Sequence, residues 1–94
     1  MSDSGCRADV WLWRARFFKT RTLAQTFVDA GRVRLTRTGA ETRLDKSSRA
    51  LKPGDRLVFV VGGRVFELTI ASLGERRGSS SEARALYVAV PPPD

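Results

Sequence analysis

Residues 7–35 read RADVWLWRARFFKTRTLAQTFVDAGRVRL, and within them the hydrophobic period changes from helical to extended. Ala8, Trp11, Leu12, Ala15 and Phe18 fall at i, i+3, i+4, i+7 and i+10, which predicts a helix with one apolar face over 7–18. Val10, Trp13 and Phe17 form a second apolar arc. A helix with two such arcs is covered on both sides, here by a later β segment, or else Trp13 is left for a partner or for base stacking. Lys19-Thr20 breaks the pattern. Thr20 is placed to N-cap a second helix over 21–30, with Leu23 rather than Glu or Gln at N3, so no capping box forms. Leu23, Ala24, Phe27 and Val28 are the inward positions, and Gly31 stands where a helix-ending glycine belongs. From Arg32 the period is two: Val33 and Leu35 alternate with Arg32, Arg34 and Thr36, a half-buried strand with a cationic outer face.

Downstream, Arg37-Thr38-Gly39-Ala40 reads as a turn. Residues 41–52 read as a long ordered loop or a short strand anchored by Leu44 and Leu51, and Lys52-Pro53-Gly54-Asp55 as a second turn. Leu57–Val61 and Val65–Ile70 are β-rich runs joined through Gly62-Gly63 as a hairpin. Residues 75–81 form a charged, Gly/Ser-rich loop. Beyond it, Ser81-Glu82 caps a helical turn through Leu86, or Leu86–Val90 is a last strand; the residues leave both open. The expected fold class is α+β, two helices packed on a small, bent, mostly antiparallel sheet. Its expected core is Trp11, Leu12, Ala15, Leu23, Ala24, Phe27, Val28, Val33, Leu35, Leu57 and Phe59. The expected organisation is a loose N-terminus over 1–6, one domain over 7–70, and a variable segment over 71–94 ending in Pro91-Pro92-Pro93.

Composition narrows the function. The chain has 94 residues, enough for one compact domain, and a formal net charge of +7. Residues 1–52 hold 12 Lys or Arg against 5 Asp or Glu, whereas residues 53–94 hold 5 of each, so the whole excess lies in the first half. Of the cations 14 are Arg, whose planar fork grips phosphate and stacks on bases as a Lys ammonium does not. Such a balance marks a polyanion binder. With one cysteine, Cys6, and no histidine, an internal disulfide, the usual zinc sites and His-based triads are excluded. The scattered carboxylates make no catalytic pair. Asp9 reads as a partner for nearby Arg, and Asp55 as a turn-capping side chain. No metal or other cofactor is expected, and no enzyme. No apolar run approaches a membrane span, and Met1–Gly5 is not the start of a secretory signal, so a cytoplasmic protein is expected.

The candidate RNA-binding residues are Arg7, Lys19, Thr20, Arg21, Gln25, Arg32 and Arg34, with Arg14 and Lys46 in second rank. Arg and Lys would neutralise phosphates, the N-terminus of the second helix would present free N–H groups to one, and Gln25 would fix register.

These residues carry a resemblance. Arg7-Ala8-Asp9, Trp11-Leu12, Lys19-Thr20-Arg21, Ala24, Phe27-Val28, Gly31-Arg32-Val33 and later Gly54-Asp55 resemble the S4 domain, over residues 7–61. Trp11-Leu12-Trp13, Ala15-Arg16-Phe17, Lys19-Thr20-Arg21 and Arg76-Arg77 followed by Ser81-Glu82-Ala83 are similar to the ribosome-associated heat-shock protein 15 family, as far as Tyr87. The resemblance implies an S4-like (alpha-L) fold and recognition of structured ribosomal RNA. It also implies binding to the large ribosomal subunit, stalled or dissociated with nascent chain on tRNA, in rescue or recycling without catalysis. Against the family pattern, Ala8 stands for Leu, Val10 for a frequent Lys and Arg37-Thr38 for Asn-Gly, and the family's long basic C-terminal extension is missing. Two other classes remain: an RNA-targeting module of a modifying enzyme such as a pseudouridine synthase, and a DNA-binding regulator reading bases with the second helix. The chain's start and its Pro-rich end are expected of a stand-alone protein, and a monomer is expected.

Overall fold

The computed structural model describes residues 5–90. The polypeptide opens with β1 (Cys6–Arg7), α1 (Ala8–Arg14) and α2 (Arg21–Asp29), followed by β2 (Val33–Arg37), β3 (Ala40–Leu44) and β4 (Ala50–Leu51). It continues through β5 (Arg56–Val61), β6 (Arg64–Ile70), α3 (Ser80–Arg84) and β7 (Tyr87–Ala89). The main sheet has the order β3-β2-β5-β6-β7 and is antiparallel throughout. A second, two-stranded ladder pairs β1 with β4 and sets Cys6 opposite Leu51.

Alternation along the strands decides which face is covered. Val33 and Leu35 of β2, Leu44 of β3, Leu57 and Phe59 of β5 and Leu68 and Ile70 of β6 are buried. Trp11, Leu12, Ala24 and Val28 of the two helices are buried with them. The helices are therefore a layer on one face of the sheet. The opposite face carries Arg34, Arg43 and Val58, which the ladders set side by side. Three small or short side chains, Ala8, Ala24 and Val28, let α1 and α2 approach closely and are fully buried.

The α+β prediction holds, with local corrections. The first helix stops at Arg14 instead of Phe18, because Arg16 adopts a left-handed φ of 66°. That kink swings Phe17 onto the sheet, where its ring centroid lies 5.1 Å from Phe59, 5.2 Å from Phe66 and 5.1 Å from Tyr87. Each such aromatic pair adds about 0.5–1.5 kcal/mol beyond area burial, enough to override a helical period. The β segment thus covers Phe17 of the second arc. Leu23, expected inward, is 52% exposed, because α2 buries the stripe Ala24–Val28 and Leu23 falls on its flank. Thr20 caps α2 as expected, its Oγ1 accepting from Leu23 N at 3.1 Å. Gly31 takes φ +74° past its end.

At the other end both open alternatives form. Ser79 and Glu82 close a capping box on α3, two residues before the expected cap, and β7 then pairs with β6. Residues 41–52 supply β3 and β4. Cys6, within the stretch expected to be loose, is buried in β1. Residues 1–4 and the Pro91–Asp94 tail lie outside the described residues.

Candidate nucleic-acid interface

Helix α2 organises the cations. At its start, Lys19, Thr20 and Arg21 are exposed, and Gln25 follows one turn on. The cap bond uses Thr20 Oγ1 as acceptor and leaves its O–H available as a donor. Capping of Leu23 N leaves the N–H groups at the very start of α2 turned outward, at the positive end of the helix dipole. At roughly 1.5 Å per residue, this end lies about 13 Å from the other.

At the far end of α2, two structures meet. The loop 45–49 is tied to both helices: Ser47 N donates to Asp29 Oδ1 at 2.8 Å, and Ala8 N and Asp9 N donate to the carbonyls of Arg49 and Ser47. This places exposed Lys46, and Arg49 beside it, at the start of α1 next to Arg7. On the other side of Gly31, Arg32 and Arg34 line a shallow cavity of about 300 Å³ together with Arg43, Val58, Phe59 and Val60. Arg32 lies with its guanidinium 5.4 Å from the Phe27 ring centre, and Phe27 in turn packs 5.0 Å from Phe18, the neighbour of Lys19. An aromatic row thus runs from the joint between the helices to β2.

The candidates differ in what holds them. Arg7 donates twice to Asp9, at 3.0 Å each, with Asp9 nearly fully buried, so its guanidinium is partly engaged. The hydrogen bond to Asp9 holds its pKa above the ordinary arginine value. Arg34 pairs with Glu41 at 3.1 Å, but both side chains are more than half exposed, and such a pair is worth little. Among the described residues, Lys19, Arg21, Arg32 and Lys46 have no carboxylate within 4.0 Å.

Arg14 stands apart from this group. Its Nη1 donates to the carbonyls of Leu73 at 3.3 Å and Gly74 at 3.0 Å and reaches Cys6 Sγ, so it braces the C-terminal segment against α1. Arg16 does the same through Gly78 O at 2.7 Å, and Arg77 through Trp13 O and a stack over the Trp13 ring. That stack is the cover that Trp13 finds. Arg43 and Arg49 belong with the outward cations and were not among the sequence candidates. The signal for Arg43 lay in the period-two register of residues 40–44, hidden where residues 41–52 read equally as loop or short strand; Arg49, between β3 and β4, had none.

Most of the carboxylates are engaged structurally. Asp55 accepts from Arg37 at 2.9 and 2.6 Å and from Lys52 N at 2.8 Å, so it caps the turn as expected and also buries an ion pair. Glu67 faces Arg56, and Glu82 closes the α3 cap and meets Arg76. Among the described residues no three His, Cys, Asp or Glu side chains gather as a metal site, and no helix is long and apolar enough to cross a membrane.

A helix pair on an antiparallel sheet, entered through Arg-x-Asp and left through Gly-Arg-Val, defines the class: the S4 domain, whose family model matches residues 6–35. The chain is 33% identical over 87 residues to the heat shock protein 15 homolog of Haemophilus influenzae, covering 93% of this chain and 63% of that protein. It is 32% identical over 81 residues to heat shock protein 15 of Escherichia coli K12, covering 86% of this chain and 57% of that protein. The chain therefore spans about three fifths of the length of these relatives. The solved Vibrio cholerae heat shock protein 15 superposes with a TM-score of 0.81 at 31% identity, covering 93% of this chain and 83% of that one. The chain belongs to the heat-shock protein 15 family. The Vibrio cholerae protein is described as trimeric, so the monomer expected from sequence finds no support there.

Proposed function

We propose that this chain is a non-catalytic, cytoplasmic protein that binds structured ribosomal RNA through the cations arranged along α2. Its partner is the large ribosomal subunit, stalled or dissociated with nascent chain-tRNA, and its role lies in rescue or recycling. The observation that carries the reading is the set Lys19, Arg21, Arg32 and Lys46: exposed, spaced along one short helix and its exits, and without carboxylate partners among the described residues. Uncompensated cations at this spacing suit a succession of phosphates, and a folded RNA is read by backbone and shape because its deep groove hides the base edges. The Asp9, Asp29, Asp55, Glu67 and Glu82 carboxylates hold structural partners, which supports a binding role without catalysis.

Co-sedimentation with purified ribosomal subunits at two salt concentrations, beside filter binding to duplex DNA, tests the reading. The expected result is salt-sensitive pelleting with the large subunit and weaker DNA retention. Equal or tighter binding to duplex DNA would overturn it.

A further inference from the structure

The cavity beside Gly31 holds a feature that folding alone does not favour. The β2–β3 register sets Arg34 directly opposite Arg43, and like charges at such positions repel. Arg32, just before β2, lines the same cavity. Among the described residues neither Arg32 nor Arg43 has a carboxylate within 4.0 Å, and Glu41 meets only Arg34, in an exposed pair. Three arginines therefore line one concavity with a single weak counter-charge.

Their placement is built. A Cβ at Gly31 would lie 3.1 Å from Arg43 Cδ, so the Arg43 stem packs closely across the end of α2. Arg32 is held over the Phe27 ring. Val58, Phe59 and Val60 form an apolar wall, which strengthens any charge–charge contact made against it.

We propose that Arg32, Arg34 and Arg43 clamp one backbone phosphate of the bound RNA, with Arg43 completing the grip. This rests on the RNA-binding reading above. An anion seated there relieves the Arg34–Arg43 repulsion, so the clamp gives up stability in the free protein for affinity in the complex. The forked guanidinium matters as well as its charge, since it can donate two parallel bonds to a phosphate.

The test is filter binding of a labelled RNA stem-loop across a salt series, with urea unfolding of the same proteins. Arg43→Thr is expected to weaken binding about fivefold or more, to lower the salt slope by less than the roughly 0.9 of a whole phosphate contact because Arg32 and Arg34 stay on that phosphate, and to raise the urea midpoint. Arg43→Lys is expected to keep the salt slope while losing part of the affinity, and it decides the matter if the threonine variant does not fold. Unchanged affinity and slope in both Arg43 variants, beside weakened binding in Arg21→Ala, would overturn the clamp and leave the RNA reading standing. No salt-sensitive binding by the parent protein would overturn both.

Discussion

Around the end of α1 the arginines turn inward; along α2, at the start of β2 and in β3 they turn outward, with Arg37 at the end of β2 turned back onto Asp55. Arg14, Arg16 and Arg77 donate to main-chain carbonyls and lash residues 73–78 to the first helix. Trp11 adds to the same seam, its Nε1 donating to Ser72 O at 3.0 Å. Arg21, Arg32 and Arg43, by contrast, meet no carboxylate among the described residues. The two regions share a residue type and differ in what the guanidinium can reach. Net charge alone treats all of them alike; their hydrogen bonds separate the arginines used as internal braces from those left without protein hydrogen-bond partners among the described residues.

The contrast can be broken by mutation. The largest effect is expected at Arg37, an inward arginine of the sheet. Arg37→Ala leaves the buried Asp55 carboxylate without its counter-ion and should cost about 3 kcal/mol in urea unfolding. A loss under about 1 kcal/mol would mean that Asp55 is held well enough by Lys52 N, within the usual worth of one hydrogen bond.

Arg14→Met comes next. It keeps the stem and removes the bonds to Leu73 and Gly74, for an expected loss of about 1.5 kcal/mol, with RNA affinity of the folded protein unchanged. A fall in affinity at full folding would move Arg14 into the outward set.

The smallest effect concerns pH. Burial pushes the Cys6 thiol above its ordinary pKa, with nearby Arg14 opposing. The folded state therefore holds the proton more tightly than the unfolded chain. This contribution is fully present below about pH 8.5 and is lost as pH rises through the folded-state value. Thermal melts of the parent and of Cys6→Ala should differ by a constant offset from neutral pH to about pH 8.5, set by the lost buried side chain, and the offset should change only at the alkaline end, with the parent falling faster.

Much of this was legible in the chain. The shift from a 3.6 to a 2.0 period between Val28 and Val33 gives the helix-to-strand exit, and Thr20 and Gly31 mark the bounds of α2. What stayed hidden was tertiary. Nothing local announces that Arg16 turns left-handed or that Phe17 leaves the helix for Phe59, Phe66 and Tyr87. Leu23 and Val28 look alike in a helical wheel, and only the closeness of α1 decides which is covered. The fate of Arg14 depended on carbonyls some 60 residues away, beyond the reach of any spacing rule.

The most direct measurement is the salt dependence of RNA-stem-loop binding by Arg21→Ala/Arg32→Ala beside Arg14→Met. The outward double variant should lose between about 0.9 and 1.8 from the magnitude of its log–log slope, a whole phosphate contact at Arg21 and a share of one at Arg32, and keep its unfolding midpoint, while Arg14→Met keeps the parent slope. Equal slopes in the parent and the double variant, or an equal loss in all variants, would contradict the division between inward and outward arginines.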